Sequence, residues 1–169
     1  MHRTTIALVI AAAFALASLP ASAAPTPPGV IATFDGHTIN LADGWGAARA
    51  CTSDGVTARC YRSEAEMDAA EGGLDDGFAP YACSGSLRLY RSTSYGGAVL
   101  QLTTQYTLIN LATYSFNNDT SSYRVGPCAS IFYDTTTGSG TYPGNTGANV
   151  SAPSMSAGWD NRIGSVYIS

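Results

Sequence analysis

Residues 87–122 read LRLYRSTSYGGAVLQLTTQYTLINLATYSFNNDTSS, and residues 130–165 read SIFYDTTTGSGTYPGNTGANVSAPSMSAGWDNRIGS. Laid over one another at an offset of 43 residues, the two stretches share their landmarks without a gap. Tyr90 falls on Tyr133, Gly97 on Gly140, Phe116 on Trp159, Asn117 on Asp160, Asn118 on Asn161 and Ser122 on Ser165. Each copy opens on a β-leaning segment ending in Tyr and turns on a Gly. A long middle then leads to an aromatic residue, two amide or acid residues, a Ser and a second β-leaning segment. Two copies are too few for a solenoid or propeller. They suit one supersecondary unit duplicated so that two half-buried sheets close on each other.

The local signals agree. Leu87–Tyr90, Val99–Thr103, Ser130–Tyr133 and Val166–Ile168 are short β-rich runs separated by turn residues at near-regular spacing, the pattern of an all-β sandwich. Gly138 to Ala157, rich in Gly, Ser, Thr, Pro and Asn, reads as loop or weak strand.

The stretch Tyr90-Arg-Ser-Thr-Ser-Tyr95-Gly-Gly97, with Leu102 following, resembles the aromatic–Gly signature of a βγ-crystallin Greek-key motif. In that family the Gly permits a folded hairpin and a later Ser packs over it; Ser122 and Ser165 match that Ser. The resemblance implies two Greek-key motifs, 83–126 and 127–169, forming one βγ-crystallin-like sandwich. Arg91 departs from the acid or amide usual after the Tyr, whereas Asp134 keeps it. In the second copy Gly138 stands where the second aromatic belongs.

The family also carries a calcium signature of two Asn or Asp, any two residues, Ser or Thr, then Ser. Asn117-Asn118-Asp119-Thr120-Ser121-Ser122 matches it throughout. Asp160-Asn161-Arg162-Ile163-Gly164-Ser165 has Gly164 in place of the hydroxyl residue and adds the charge of Arg162. Calcium takes several hard oxygen ligands, and extracellular modules hold it with Kd on the order of 10⁻⁴ to 10⁻³ M. The expectation is at most one weakly held calcium ion on ligands drawn from Asn117, Asn118, Ser121, Asp160 and Asn161. The alternative is that these residues cap and turn the two arches through their own hydrogen bonds.

Ahead of the repeat, Arg3, the apolar run Ile6 to Leu19 and Ala21-Ser22-Ala23 read as a signal peptide over 1–23. The run is shorter than the roughly 20 residues that span a bilayer, so an exported chain without membrane insertion is expected. Residues 24–29, Ala-Pro-Thr-Pro-Pro-Gly, read as a linker. Residues 30–82 read as a small mixed extension. Asp35-Gly36 and Asp54-Gly55 are hairpin signals. Ser63-Glu64-Ala65-Glu66 is a capping box opening a short helix that Gly72-Gly73 ends. Half of the acids, Glu64, Glu66, Asp68, Glu71, Asp75 and Asp76, fall in the short stretch 64–76 and read as a solvated helix face and loop.

Four cysteines in an exported chain argue for two disulfides. Cys51 and Cys60 flank the Asp54-Gly55 turn, and Cys83 and Cys128 each precede the first strand of a copy. Cys51–Cys60 with Cys83–Cys128 is the favoured pairing, the alternative being a clamp from the extension to the sandwich. No C-x-x-C pair suggests zinc.

Composition narrows the function. Eight Lys and Arg stand against twelve Asp and Glu, a net charge of −4, and no basic stripe offers a nucleic-acid footprint. His37 is the one histidine beyond the leader, and no nucleophile-elbow, zinc-protease or phosphate-loop motif accompanies it. The chain therefore reads as non-enzymatic. Three classes remain. Asn110-Leu111 with Phe116-Asn117, and Trp159-Asp160-Asn161-Arg162, resemble peptidase inhibitor family I36, which implies an extracellular protease as partner. The others are a calcium-stabilised structural or cell-envelope protein and a secreted toxin on the same fold.

Overall fold

The computed structural model describes residues 28–73 and 86–169. The expected leader over 1–23, the domain boundary at residue 82, Cys83, Asp75 and Asp76 lie outside the described residues. The strands are β1 (Ile31–Phe34), β2 (His37–Asn40), β3 (Ala50–Ser53), β4 (Ala58–Tyr61), β5 (Leu87–Ser92), β6 (Gly96–Leu102), β7 (Leu108–Asn110), β8 (Ser122–Val125), β9 (Ser130–Tyr133), β10 (Ser151–Ala152) and β11 (Ser165–Ile168). One helix, α1 (Glu64–Glu71), lies between β4 and β5.

The repeat offset survives in three dimensions. β8 and β11 begin and end at equivalent positions, β5 and β9 begin at equivalent positions, and so do β7 and β10. Each copy sends the strand that precedes its last one to the other copy's sheet. β10 pairs with β8, and β7 pairs with β11, which also pairs with β9. That exchange closes two Greek keys into a sandwich, as expected for a βγ-crystallin-like fold. One copy alone would leave its apolar face open. Leu89, Phe116, Tyr123, Phe132, Ile163, Val166 and Ile168 fill the space between the sheets.

Residues 30–73 are built into the same sheet. The order is β10-β8-β5-β6-β3-β4-β1-β2, and β3 joins β6 in parallel, with Cys51 opposite Leu100. Ala32, Leu41, Trp45 and Ala48 belong to the same buried cluster as the sandwich core. Trp45 packs on Phe116 at 5.6 Å between ring centres, and its Nε1 donates to Tyr114 O at 2.7 Å. The change of sequence character after Cys83 therefore marks where the repeat starts, while the sheet runs through.

Both turn signals act as expected. Asp35 and Gly36 hold φ of 49° and 76° in the two-residue link from β1 to β2. Gly55, at φ 85°, helps turn β3 into β4. Ser63 caps α1 by accepting from Glu66 N, and Gly72 ends it at φ 83°. Glu66 closes the box on Arg62 N in place of the cap's own N–H.

The acidic stretch departs from the solvated face expected of it. Glu64 and Asp68 turn inward onto Arg88, a β5 side chain only 3% exposed, whose Nε also donates to Gln101 Oε1 at 2.7 Å. Tyr90 OH donates to Glu64 at 2.7 Å. Glu71 takes Arg59 at 2.8 Å and accepts from Tyr61 OH. Met67 completes the contact against Ala50, Tyr90 and Val99. The carboxylates thus dock α1 onto the outer face of the sheet. Arg88 stands between Leu87 and Leu89 in β5, and its demand for anionic partners was hidden until the topology brought α1 over it.

Candidate functional site

Two arches follow the exchanged strands β7 and β10, 117–122 in the first copy and 160–165 in the second. They bind each other by matched bonds. Asn118 N donates to Ile163 O at 2.9 Å, and Asn161 N donates to Thr120 O at 3.1 Å. Asn118 and Asn161 both sit at φ 55°, a left-handed conformation that Asn tolerates better than most residues. Each arch also locks the hairpin of its own copy. Ser122 Oγ donates to Ser92 O at 2.6 Å and accepts from Tyr95 N, while Ser165 Oγ donates to Thr135 O at 2.7 Å. Gly97 and Gly140, at φ 75° and 72°, let the two hairpins fold down.

Arg91, which breaks the family pattern, and Arg162, the charge added to the second arch, are each matched by an acid across hairpin and arch. Arg91 Nε lies 2.8 Å from Asp119, and at the equivalent positions Asp134 meets Arg162 at 2.5 Å. The charges are exchanged between hairpin and arch from one copy to the other. Each guanidinium also covers the arch aromatic, Arg91 over Phe116 at 5.1 Å and Arg162 over Trp159 at 4.8 Å. Arg162 is therefore matched by Asp134, and its effect as a free positive charge falls away. Burial raises the Asp119 carboxyl above its ordinary value, and Arg91 offsets only part of that.

Of the five expected metal residues, the fold brings Ser121 and Asn161 together, with Ser121 Oγ donating to Asn161 Oδ1 at 3.3 Å. Asp160 lies alongside, accepting from Asn161 Nδ2 at 3.4 Å. Two oxygens so spaced can both come within the roughly 2.3–2.6 Å of a calcium ion, so this half fits the group in donor type and spacing. Asn117 and Asn118 stand exposed on the same arch as Ser121, and Gly164 on the second arch offers no hydroxyl. Gly164 has a steric cause: a Cβ there would lie 2.6–2.8 Å from Asp134 O, Thr135 C and Thr136 N. Among the described residues no three His, Cys, Asp or Glu cluster in a way that could hold a metal.

The remaining site residues fall as follows. Tyr90 is fully buried, with Tyr95 against it edge-on at 5.6 Å. Trp159 packs on Tyr142 at 5.4 Å, and Tyr133 is bridged to Thr141 beside Gly140. His37 is exposed on β2 at the edge of the large sheet. Cys51 and Cys60 face each other across β3 and β4 and are joined. Cys128 is also in disulfide linkage.

One feature of the hairpin between β3 and β4 escaped the sequence reading. Its turn, Asp54-Gly55-Val56-Thr57, is held by the Asp54 carboxylate, which accepts from Val56 N at 2.8 Å, Thr57 N at 2.6 Å and Thr57 Oγ1 at 2.9 Å. Those bonds keep the Asp54 carboxyl below its ordinary value. At its tip Val56 is 92% exposed. A readable signal was the β-branched residue at a position where turns favour Gly, Asn, Asp or Ser. A second missed signal is Ile39-Asn40-Leu41-Ala42, repeated as Ile109-Asn110-Leu111-Ala112. Both asparagines cap 3₁₀ turns through their side chains, and the two turns pack together, which is how the extension registers on the sandwich.

No family model matches the chain, and no curated protein matches it significantly. Solved structures do. A βγ-crystallin domain from Flavobacterium johnsoniae is 23% identical over 49% of this chain and 92% of its own, with a TM-score of 0.41. A βγ-crystallin from an archaeon is 17% identical over 51% and 99%, with a TM-score of 0.40. A βγ-crystallin from Ciona intestinalis is 24% identical over 50% and 100%, with a TM-score of 0.39. By the strand exchange and the hairpin-locking serines described above, the fold is βγ-crystallin-like, extended at one sheet edge by four further strands. Among the described residues no helix is long and apolar enough to cross a membrane.

Proposed function

We propose that this chain is an exported, non-enzymatic binding protein of the peptidase-inhibitor type, its partner an extracellular endopeptidase. The observation that carries the reading is the stapled hairpin between β3 and β4. Its strands are joined by Cys51–Cys60, paired to β6 along one side, and closed by a turn with its own hydrogen bonds. A projecting loop fixed before binding loses little conformational entropy on docking, which is the physical requirement for an inhibitor that must outlast its target's attack. The test is a titration of the purified chain against secreted zinc and serine endopeptidases. Inhibition of at least one at micromolar chain is expected, and no slowing of any refutes the reading.

The Ser121–Asn161 pair favours a second role alongside the first, a weak calcium site that stiffens the arches. Ser121, Asn161 and Asp160 would hold the ion, the Asp160 carboxylate supplying the negative charge and the Ser121 and Asn161 oxygens coordinating it from the two arches. At ten times Kd, binding would add about 1.4 kcal/mol to stability. Calcium at that level should raise Tm in the parent and leave Ser121→Ala unmoved; equal shifts in both would remove these residues from any ion site.

A further inference from the structure

The tip of the stapled hairpin has a composition that its fold does not require. Asp54, Gly55 and Thr57 each serve the turn: Asp54 as acceptor, Gly55 at φ 85° with its N–H on Ser53 Oγ, and Thr57 as donor. Val56 does nothing for the turn but offer its N–H, which any residue except Pro supplies. A polar residue there would be better solvated, yet Val56 stands 92% exposed. It does not stand alone. Tyr106 is 69% exposed and Leu108 is 40% exposed on the adjoining chain, and Val56 and Leu108 both line a hollow of about 430 Å³ floored by Ile109 and Tyr114. Two of the five large exposed hydrophobic residues among those described, Val56 and Leu108, thus line this hollow, and a third, Tyr106, directly precedes its lining residue Thr107.

Resting on the inhibitor reading above, we propose that Val56 is the primary contact residue, entering an apolar specificity pocket of an endopeptidase, with Tyr106 and Leu108 packing against the pocket's rim. The charge arrangement fits that partner. The tip's only ionised side chain, Asp54, turns its carboxylate back onto the turn and satisfies it there. An apolar pocket can therefore receive the tip without stripping water from an unpaired charge. The staple separates two fates of such a loop: with Cys51 tied to Cys60, strand pairing and the disulfide hold both sides of the turn in place, so a cut at the tip would not release its halves.

The test compares the parent chain with Val56→Asp, Val56→Leu and, as a control on the other sheet, Ile131→Asp, another exposed apolar position. All four are measured against endopeptidases that cleave beside apolar residues and one that cleaves beside basic residues. Tm should be unchanged in Val56→Asp, because an exposed turn side chain buries nothing. Inhibition of an apolar-selective enzyme should weaken at least about tenfold in Val56→Asp, equivalent to 1.4 kcal/mol. It should persist in Val56→Leu and Ile131→Asp. Equal inhibition by the parent and Val56→Asp overturns the assignment of Val56 and leaves the inhibitor reading standing. Inhibition confined to the basic-selective enzyme also overturns it. No inhibition by the parent chain overturns both.

Discussion

Replacing Gly164 by Ser would restore the family's arch pattern in the second copy, and on sequence alone it looks like a route to a second calcium site. The structure predicts damage instead. A Cβ at 164 would sit 2.6 Å from Asp134 O, 2.7 Å from Thr135 C and 2.8 Å from Thr136 N, all backbone atoms of the hairpin that Ser165 and Gly164 hold down. Side chains could rotate away from such a clash; this backbone must move, and with it the bonds from Gly164 N to Tyr133 O and from Ser165 Oγ to Thr135 O. Overpacking that forces side chains and backbone to shift costs about 1–3 kcal/mol, and three backbone contacts under 3.0 Å put this site at the upper end, about 3 kcal/mol. At roughly 3 °C per kcal/mol for a chain of this size, Tm should fall by about 10 °C. The assay is a thermal melt by far-ultraviolet circular dichroism, with Gly158→Ala as comparison. Gly158 has nothing within 4 Å of its would-be Cβ and carries only the strain of φ 79°. A Gly164→Ser chain melting within a degree or two of the parent, or gaining a calcium-dependent shift that the parent lacks, would refute the steric argument.

Arg88→Met should cost about 2–3 kcal/mol. It strands Glu64 and Asp68 without their cation, although at 30% and 38% side-chain exposure both can rehydrate, which keeps the loss below the 3–5 kcal/mol of a fully buried pair. Hydrogen exchange should then show α1 opening ahead of the sheet. Trp45→Ala should cost about 3–5 kcal/mol and lower one shared transition; two separate transitions would mean that the extension and the sandwich do not share a core. Replacing Cys51 and Cys60 by Ser should cost about 2.7 kcal/mol by loop-closure entropy, read as a lower urea midpoint. The folded Asp54 and Glu71 carboxyls lie below their ordinary 3.8 and 4.5, for Glu71 because its bonds to Tyr61 and Arg59 outweigh burial. Their contribution is therefore complete above pH 4.5 and lost as pH falls through the lower folded values, and acid melts of Asp54→Asn should lose less stability over that range than the parent.

The sandwich was legible because the repeat is a statement about packing. Tyr90, Gly97, Ser122 and their partners at 133, 140 and 165 recur at one spacing since each copy must fold its hairpin and cover its half of the core. The middle strands β7 and β10 were not picked out. They are three and two residues long and owe their strand character to exchange between the copies, which no local pattern records. The role of α1 was misread for a related reason: a carboxylate facing water and one facing a buried guanidinium look alike until Arg88 is seen beneath the helix. The arches were half legible. Ser121 and Asn161 were named as donors from the motif, while the steric demand on Gly164 and the exchanged pairs Arg91–Asp119 and Asp134–Arg162 depend on contacts between hairpin and arch.

The central claim is that the hairpin between β3 and β4 binds the active-site cleft of an endopeptidase. Calorimetric titration of the purified chain into an apolar-selective endopeptidase tests it directly, run with the enzyme's cleft free and with the cleft filled by a tight active-site ligand. The account predicts one-to-one binding to the free enzyme and none to the blocked one. Binding that is indifferent to the blocking ligand, or no heat with any such enzyme, would contradict it.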